Sequence, residues 1–335
     1  MRQQRILLSH GSGGRLMHGL VKDLFLRKLD NSILRQLSDS AVINYKERIA
    51  FTTDSFVVSP LWFPGGDIGK LSVCGTVNDL VMLGAVPEYL SLALIIEEGL
   101  DYRLLEKIIA SIALAARRAG VEIATGDTKV VEKGAADRIF INTSGVGRIL
   151  KNKRLSARNI RPGDRLIITG PIAQHGLAVL SGRKGLDLRL GIKSDCASLN
   201  GLLIPVLRKT ESIRFMRDPT RGGLAAALNE IAETSGLGMI IEEEKIPLTP
   251  QVRAACELLG LDPLDIANEG RAVVVVSPAG SKTVLELLRR HPLARGARII
   301  GTVVKAGQGR VVLNTRVGTQ RIVVMPSGDP LPRIC

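Results

Sequence analysis

Residues 75–85 read Gly75-Thr76-Val77-Asn78-Asp79-Leu80-Val81-Met82-Leu83-Gly84-Ala85, and the rest of the chain is organised around them. With Lys70-Leu71-Ser72-Val73-Cys74 in front, the apolar run predicts a buried helix over 70–84. Asn78 and Asp79 break that run. A carboxylate buried without a partner costs several kcal/mol, so Asp79 calls for a metal ion or an ion pair.

Strands are predicted on both sides of this helix. Upstream, 41–45 and 48–54 are strand-like, and the second ends on Asp54 beside Ser55. An acid at a strand end sits at a rim that ligands reach; a turn aspartate has the same local look. Farther upstream, Gly11-Ser12-Gly13-Gly14 opens a helical pattern over 15–29, with Leu16, Leu20, Leu24 and Leu26 on its apolar side. N–H groups and a dipole at such a helix start suit phosphate, although a Gly-rich turn needs no ligand. Downstream, 89–96 reads as an apolar strand and 101–119 as an amphipathic helix. A strand over 121–124 then runs into Thr125-Gly126-Asp127-Thr128-Lys129. Gly126 permits close backbone approach, while Asp127 and Lys129 share a side if the strand continues, where a surface ion pair accounts for both. The strand over 138–149 closes this half.

The basic, turn-rich stretch 150–164 marks a domain boundary, giving an N-terminal domain over 1–150 and a C-terminal α/β domain over 151–324. The second half begins with a strand over 165–170, a turn holding His175 and Gly176, and helices over 177–181 and 195–208. Asp218-Pro219-Thr220-Arg221-Gly222-Gly223 then opens a helix over 224–234, with Asp218 and Thr220 as capping candidates. Strands over 239–242, 272–276, 298–304, 310–314 and 320–324 follow, with helices over 251–259 and 281–290 between the earlier ones. Asn268-Glu269-Gly270-Arg271 lies ahead of the strand over 272–276, and a Glu269–Arg271 ion pair is its simplest local reading.

Composition sets the limits. The 335 residues hold two domains with real cores, and 45% hydrophobic against 3% aromatic content means cores of Val, Ile, Leu and Ala. The four cysteines show neither CxxC nor zinc spacing, and Cys74, Cys196 and Cys256 fall in helical patterns as small buried hydrophobes. Lacking a leader pattern and any apolar run near the ~18 residues of a membrane helix, the chain is expected in the cytoplasm with reduced thiols. The net charge of +14 is dispersed and unaccompanied by stacking aromatics. It therefore speaks for solubility, anionic ligands and an acidic protein partner rather than nucleic acid.

The segment 325–335 contains Pro326, Pro330 and Pro332 around Gly328 and ends Pro332-Arg333-Ile334-Cys335. Prolines without donors and with fixed φ predict a semi-stiff arm that holds Cys335 away from the body. Taken alone, the segment reads first as a frayed end that happens to finish in cysteine.

Taken in order, the Gly11–Gly14 loop, Asp54, GTVNDLVMLGA, TGDTK, DPTRGGL and NEGR resemble the aminoimidazole ribonucleotide synthetase superfamily of ATP-dependent enzymes across essentially the whole chain. With PRIC at 332–335 the chain is similar, within it, to the carbamoyl dehydratases of hydrogenase maturation. The resemblance implies a mixed α/β two-domain fold, with N-terminal sheets closing a β-barrel across a homodimer and a flexible tail. It implies ATP held without a P-loop, through Mg²⁺ on Asp54, Asp79 and Asp127, with Gly11, Ser12, Gly13 and Gly14 as cover and Asn78, Gly126 and Thr128 nearby. Cys335 would accept a carbamoyl group from a carbamoyltransferase, and ATP-dependent dehydration would turn the S-carboxamide into a thiocyanate. The cyanide would pass, by way of iron-carrying scaffold or chaperone proteins, to the iron of a nickel-iron hydrogenase. Lys129 and Glu269 are implied as the proton-accepting and oxygen-activating groups in either order, with His175 in support. Selenophosphate synthetases and thiamine-monophosphate kinases, siblings in this superfamily, fit less well: the former place a reactive cysteine near the N-terminus, and the latter need no thiol arm. A nucleotide-gated carrier that uses Cys335 to bind metal or a partner is the competing reading.

Overall fold

The computed structural model describes residues 5–7, 10, 19–36, 45–183, 191–306, 309–326 and 331–335. The Gly11–Gly14 loop and most of the strand expected over 41–45 lie outside these residues.

The N-terminal half is a four-stranded sheet with two long helices, and residues 21–29 add a shorter helical stretch within the helix expected over 15–29. Strand β1 (Ile49–Phe56) is followed by a short ribbon, β2 (Trp62–Phe63) with β3 (Gly66–Asp67), and then by helix α1 (Ile68–Met82). Next come β4 (Ala85–Glu97), α2 (Tyr102–Ala119), β5 (Glu122–Val131) and β6 (Ile139–Ile149). The sheet order is β1-β6-β4-β5, with β4 and β5 parallel and the other pairs antiparallel. Among the described residues β1 and β5 are therefore its edge strands.

Local chemistry accounts for the helices. The Asp67 carboxylate accepts from Gly69 N–H and Lys70 N–H and caps α1. Every residue of α1 except Lys70 and Asp79 is buried, as the apolar run demands. A Cβ at Gly75 would lie 2.9 Å from the Phe56 ring, so glycine lets α1 settle on β1. Asp101 caps α2 in the same way, and Gly120 ends it in the left-handed region at φ 69°. In β1, Ala50, Thr52, Asp54 and Phe56 alternate with the exposed Ile49, Phe51, Thr53 and Ser55.

The second half is one seven-stranded sheet with helices packed on it. Its elements are β7 (Arg165–Ile168), α3 (Gln174–Ser181), α4 (Asn200–Lys209), β8 (Ile213–Arg217), α5 (Gly223–Ser235), β9 (Gly238–Glu242) and α6 (Pro250–Leu259). After them come β10 (Val273–Val276), α7 (Ser281–Arg289), β11 (Arg298–Val304), β12 (Val311–Asn314) and β13 (Gln320–Val323). The order is β13-β12-β9-β11-β7-β10-β8, and only the β12–β9 pair is parallel. Val273 to Val276 are all buried, on a strand flanked by β7 and the edge strand β8. No helix among the described residues is long and apolar enough to cross a membrane.

Several sequence expectations are corrected. β8 is missing from the sequence reading, because Arg214 and Arg217 mask its short alternation. Helix α4 starts at Asn200 rather than at 195, since residues 194–199 are drawn into bonds with the other half of the molecule. The start of α5 is Gly222 at φ 72° with no side-chain cap, so neither Asp218 nor Thr220 caps it. Cys196 accordingly sits in a connection and not in a helix.

The largest departure is the tail. Instead of standing away from the body, Leu331 and Ile334 are buried and Cys335 is half-buried. Val57 N–H donates to the main-chain oxygen of Cys335 at 3.0 Å, and Ser59 N–H to that of Arg333 at 3.1 Å. The last residues thus lie strand-like along the exit of β1. Apolar side chains at 331 and 334 outweigh the stiffness that prolines confer.

Candidate active site

Asp54, Asp79, Asp218 and Glu269 crowd together where the two halves meet. β1 turns Asp54 toward α1, which offers Asp79 one turn from the Gly75 contact. The Thr52 hydroxyl donates to Asp79 Oδ2 at 3.0 Å. Burial pushes the Asp79 carboxyl up to about 6, and the Asp54 charge adds to the rise. Asp218, just past β8, is pushed up to about 7 by burial and then by Asp79. Burial also raises Asp54, against the pull of the Ser55 N–H and Arg221. These shifts have one origin: acids are gathered out of water faster than cations are supplied.

Glu269 is 3% exposed and held well above the usual carboxylate range, by burial first and then by Asp218, Asp195 and Asp54. Its expected ion pair with Arg271 does not form. Arg271 faces Asp195 at 3.6 Å and donates to Pro171 O, Leu293 O and Gln174 Oε1. Asp195 in turn accepts the N–H groups of Glu269 and Gly270. The Glu269 main chain is therefore fixed while its carboxyl is left without an ion pair among the described residues. Asn78 completes the shelf: its amide donates to Ala197 O and Glu269 O, and its Oδ1 accepts from Leu199 N–H at 2.8 Å. All three bonds cross from α1 to the second half, so Asn78 bolts the halves together.

His175 seats the tail. Its Nε2 lies 2.6 Å from the Ile334 carbonyl, which only accepts, so the proton is on Nε2. Nδ1 then accepts from the Ser194 hydroxyl at 2.8 Å, and Ser194 Oγ accepts from Cys196 N–H. Burial lowers the imidazole pKa and keeps this neutral form. The Phe63 ring meets His175 edge-on at 5.3 Å. A Cβ at Gly176 would stand 2.6 Å from Ile266 and 3.2 Å from Leu331, so the His-Gly pair leaves room for the tail. Arg333 adds bonds to Val57 O and Asp137 Oδ2, and Arg183 donates to Pro332 O.

Asp127 and Lys129 lie elsewhere. Both are on edge strand β5, exposed, with Nζ 2.8 Å from Asp127 Oδ1. Lys129 holds the Asp127 carboxyl below its usual range. Register places Asp127 beside Ala93, Ala93 beside Asn142 and Asn142 beside Ser55. Three strand spacings, roughly 14 Å, separate Asp127 from the Asp54 region within one chain. Among the described residues no group of three His, Cys, Asp or Glu side chains stands close enough to hold a metal ion. Gly126 has a structural use, since a Cβ there would meet Leu92 O at 2.3 Å, and Thr128 is buried.

Sequence reasoning missed Asp218, Asp195 and Ser194 as parts of this site. Asp218 carried a signal, an acid placed before a Gly-Gly helix start, but it was spent on capping. Asp195 and Ser194 carried none, because their partners lie about 75 and 20 residues away in sequence.

Known proteins resemble the chain over its whole length. The N-terminal domain of the AIR synthase related proteins matches residues 37–149, and their C-terminal domain matches residues 161–314. The carbamoyl dehydratase HypE of Cupriavidus necator is 48% identical over 333 residues, covering 99% of this chain and 95% of its own. A crystal structure of hydrogenase maturation protein HypE in complex with ATP superposes with a TM-score of 0.95 at 47% identity, covering 98% of this chain and 99% of that one. A HypE chain crystallised in a HypE–HypF complex is 48% identical, with a TM-score of 0.81 over 92% of this chain and 99% of its own. The chain belongs to the carbamoyl dehydratase HypE family of AIR synthase related proteins.

Proposed function

We propose that this chain is an ATP-dependent carbamoyl dehydratase of hydrogenase maturation that carries its substrate on Cys335. The net reaction is S-carboxamide plus ATP giving S-cyanide, ADP and phosphate. The carboxamide oxygen leaves with the phosphate, and both nitrogen protons are lost to bases. One observation carries the residue assignment. Residues 194–197 hold the tail through Ser194 and His175, and hold Glu269 through Asp195 and Ala197. The carrier's seat and the buried acid are thereby parts of one structure.

Each side chain has a task in this reading. Glu269, desolvated and without an ion pair among the described residues, has the raised proton affinity of a base, and it takes a proton from the carboxamide nitrogen. Lys129 supplies positive charge toward the carboxamide oxygen. Asp54 and Asp79 offer hard oxygen donors and would be the residues of this half to hold Mg²⁺, which would supply positive charge toward the phosphates. Asp195 and Asn78 keep the Glu269 main chain in place, and His175 orients the tail.

A second copy of the chain completes the arrangement. The outer face of the N-terminal sheet exposes Phe51 at 66%, Ile49 at 46% and Ile95 at 45%, and among the described residues no further strand pairs with edges β1 and β5. Closure of two such sheets into a barrel covers this face. A closure that sets β5 of one copy beside β1 of the other brings Asp127 and Lys129 to Asp54. The partners are a homodimer mate, a carbamoyltransferase that loads Cys335, and iron-carrying scaffold or chaperone proteins that accept the cyanide. A relative's crystallisation in a HypE–HypF complex supports a loading partner. The tail then undocks from β1 to be loaded and docks again to react.

Intact-protein mass spectrometry after incubation with a carbamoyltransferase, carbamoyl phosphate and ATP tests the reading. A carbamoyl adduct on Cys335 that converts to a cyano adduct with phosphate release is expected. An adduct on Cys74, Cys196 or Cys256 with Cys335 unmodified overturns it. Loading without phosphate release favours the carrier reading instead.

A further inference from the structure

We propose that Cys74 and Cys196 are a disulfide-forming pair that ties α1 to the second half of the molecule beside Glu269. The thiols come from different halves, Cys74 from α1 and Cys196 from the connection before α4. Their side chains meet at one cavity, close enough for each thiol to shift the proton affinity of the other. Both are buried from bulk solvent, at 3% and 2% exposure, yet both line one cavity of about 210 Å³ together with Lys70 and Arg118. A small oxidant has room to reach them there.

The pair is also chemically unequal. The Cys74 thiol is held below its usual range, first by the hydrogen bond from Cys196 and then by the Lys70 charge. The Cys74 side chain first, and burial second, raise the proton affinity of the Cys196 thiol. A thiol that gives up its proton more readily, set beside one that keeps it, is the pairing that reacts with peroxide and then closes a disulfide. Cys74 sulfur attacks one oxygen of hydrogen peroxide, giving a sulfenic acid and, with one proton, water. Cys196 sulfur then displaces the sulfenic oxygen, which leaves as water with the Cys196 proton. Two thiols and one peroxide become one disulfide and two waters, and a dithiol reductant reverses the change.

The consequence follows from the neighbours of Cys196. Bonding requires the sulfurs to close to ~2.05 Å, so the connection moves toward α1. Asp195 holds the N–H groups of Glu269 and Gly270, and Ala197 N–H holds Glu269 O. The movement is passed to Glu269, and the oxidised form is a locked state with slower dehydration. The lock, though not the disulfide itself, rests on the function proposed above.

The test uses full-length Cys335→Ala protein, in which Cys74, Cys196 and Cys256 remain. After stoichiometric peroxide, alkylation and peptide mapping should find Cys256 alone alkylated and a Cys74–Cys196 peptide that dithiothreitol splits. Cross-linking across so long a loop should raise the melting temperature by roughly 5 °C or more. Cys196→Ser and Cys74→Ser in the same background should show no such rise, and either one suffices if the other folds poorly. Over-oxidation without the linked peptide, or linkage to Cys256, overturns the site. For the lock, protein first carbamoylated on Cys335 is treated with peroxide and then given ATP. Phosphate release should fall at least tenfold against loaded Cys196→Ser. A linked peptide with unchanged release overturns the lock and leaves the disulfide standing.

Discussion

Carboxylates at the domain junction and the Asp127–Lys129 pair on β5 use the same chemistry in opposite states. At the junction Asp79, Asp218 and Glu269 have been taken out of water together, and their proton affinities rise. On β5 the Asp127 carboxyl stays in water beside a lysine, and its proton affinity falls. The first group is electrostatically incomplete and gains from a cation or a proton. The second is satisfied within one chain and has to be opened before it acts. A carboxylate's value as a ligand or base is therefore set by what surrounds it, and the family motif alone does not distinguish the two.

The largest expected effect sits at the incomplete side. Glu269→Gln should lower cyano-adduct formation by roughly 10²–10⁴-fold while Cys335 is still loaded and ATP affinity stays within about twofold. Lys129→Ala should lower it as well, by about 10²-fold or more, through lost charge on the oxygen. Product formed at the native rate by both variants, measured by intact-mass time courses, breaks the assignment.

Nucleotide binding draws the comparison more finely. Asp54→Asn and Asp79→Asn should each weaken Mg-ATP binding by at least roughly tenfold, or ~1.4 kcal/mol. Asp127→Asn should do the same only if the partner's β5 completes the site, so calorimetry belongs beside light scattering. An Asp127→Asn dimer with unchanged affinity confines the metal to the junction.

A third contrast is in pH dependence of stability. Asp79 and Asp218, at about 6 and about 7, lie above the unfolded value of ~3.9, so the folded state binds the extra protons between. Their share of stability is present at low pH and is lost as pH rises from about 4 to 7. Asp127 has the reverse sign: its share is present above the ordinary carboxylate pKa and is lost as pH falls below it. In chelator, Asp79→Asn should gain about 2 °C or more in melting temperature on the wild type as pH goes from 5 to 7.5. Equal curves for the two proteins contradict the desolvated state.

How much of this was legible in the sequence divides along the same line. Helix α1 and strand β4 were readable from their apolar runs and helix α2 from its periodicity, because these signals are local. Asp79 was readable as an anomaly, since an acid in an apolar run breaks a rule. The company it keeps was not, because Asp218 and Glu269 arrive from 139 and 190 residues later, as the numbering shows. The docked tail was misread for the opposite reason. Prolines gave a strong local signal for an arm, while the burial of Leu331 and Ile334 depends on His175, Gly176 and Val57, which no window around residue 331 contains.

The smallest expected effect concerns that tail and tests whether an exposed pair matters at all. Arg333 lies over the Phe140 ring at 5.9 Å, donates to Val57 O and pairs with Asp137 at 2.8 Å, both partners near 40% exposed. An exposed ion pair contributes ~0–1 kcal/mol, and an exposed cation–π contact ~0.5–1 kcal/mol. Arg333→Ala should therefore shift the docked–undocked balance by about 1 kcal/mol, a factor of ~5. Alkylation of Cys335 by iodoacetamide, followed by peptide mass spectrometry, reads that shift as a roughly fivefold faster rate. His175→Ala should accelerate it further, because the buried Ile334 carbonyl then loses its donor. An Arg333→Ala rate equal to wild type would place the whole grip in Leu331, Ile334 and His175. A rate at least a hundredfold faster would make the exposed pair decisive and reverse the ranking of buried over solvated charges drawn from Glu269 and Asp127.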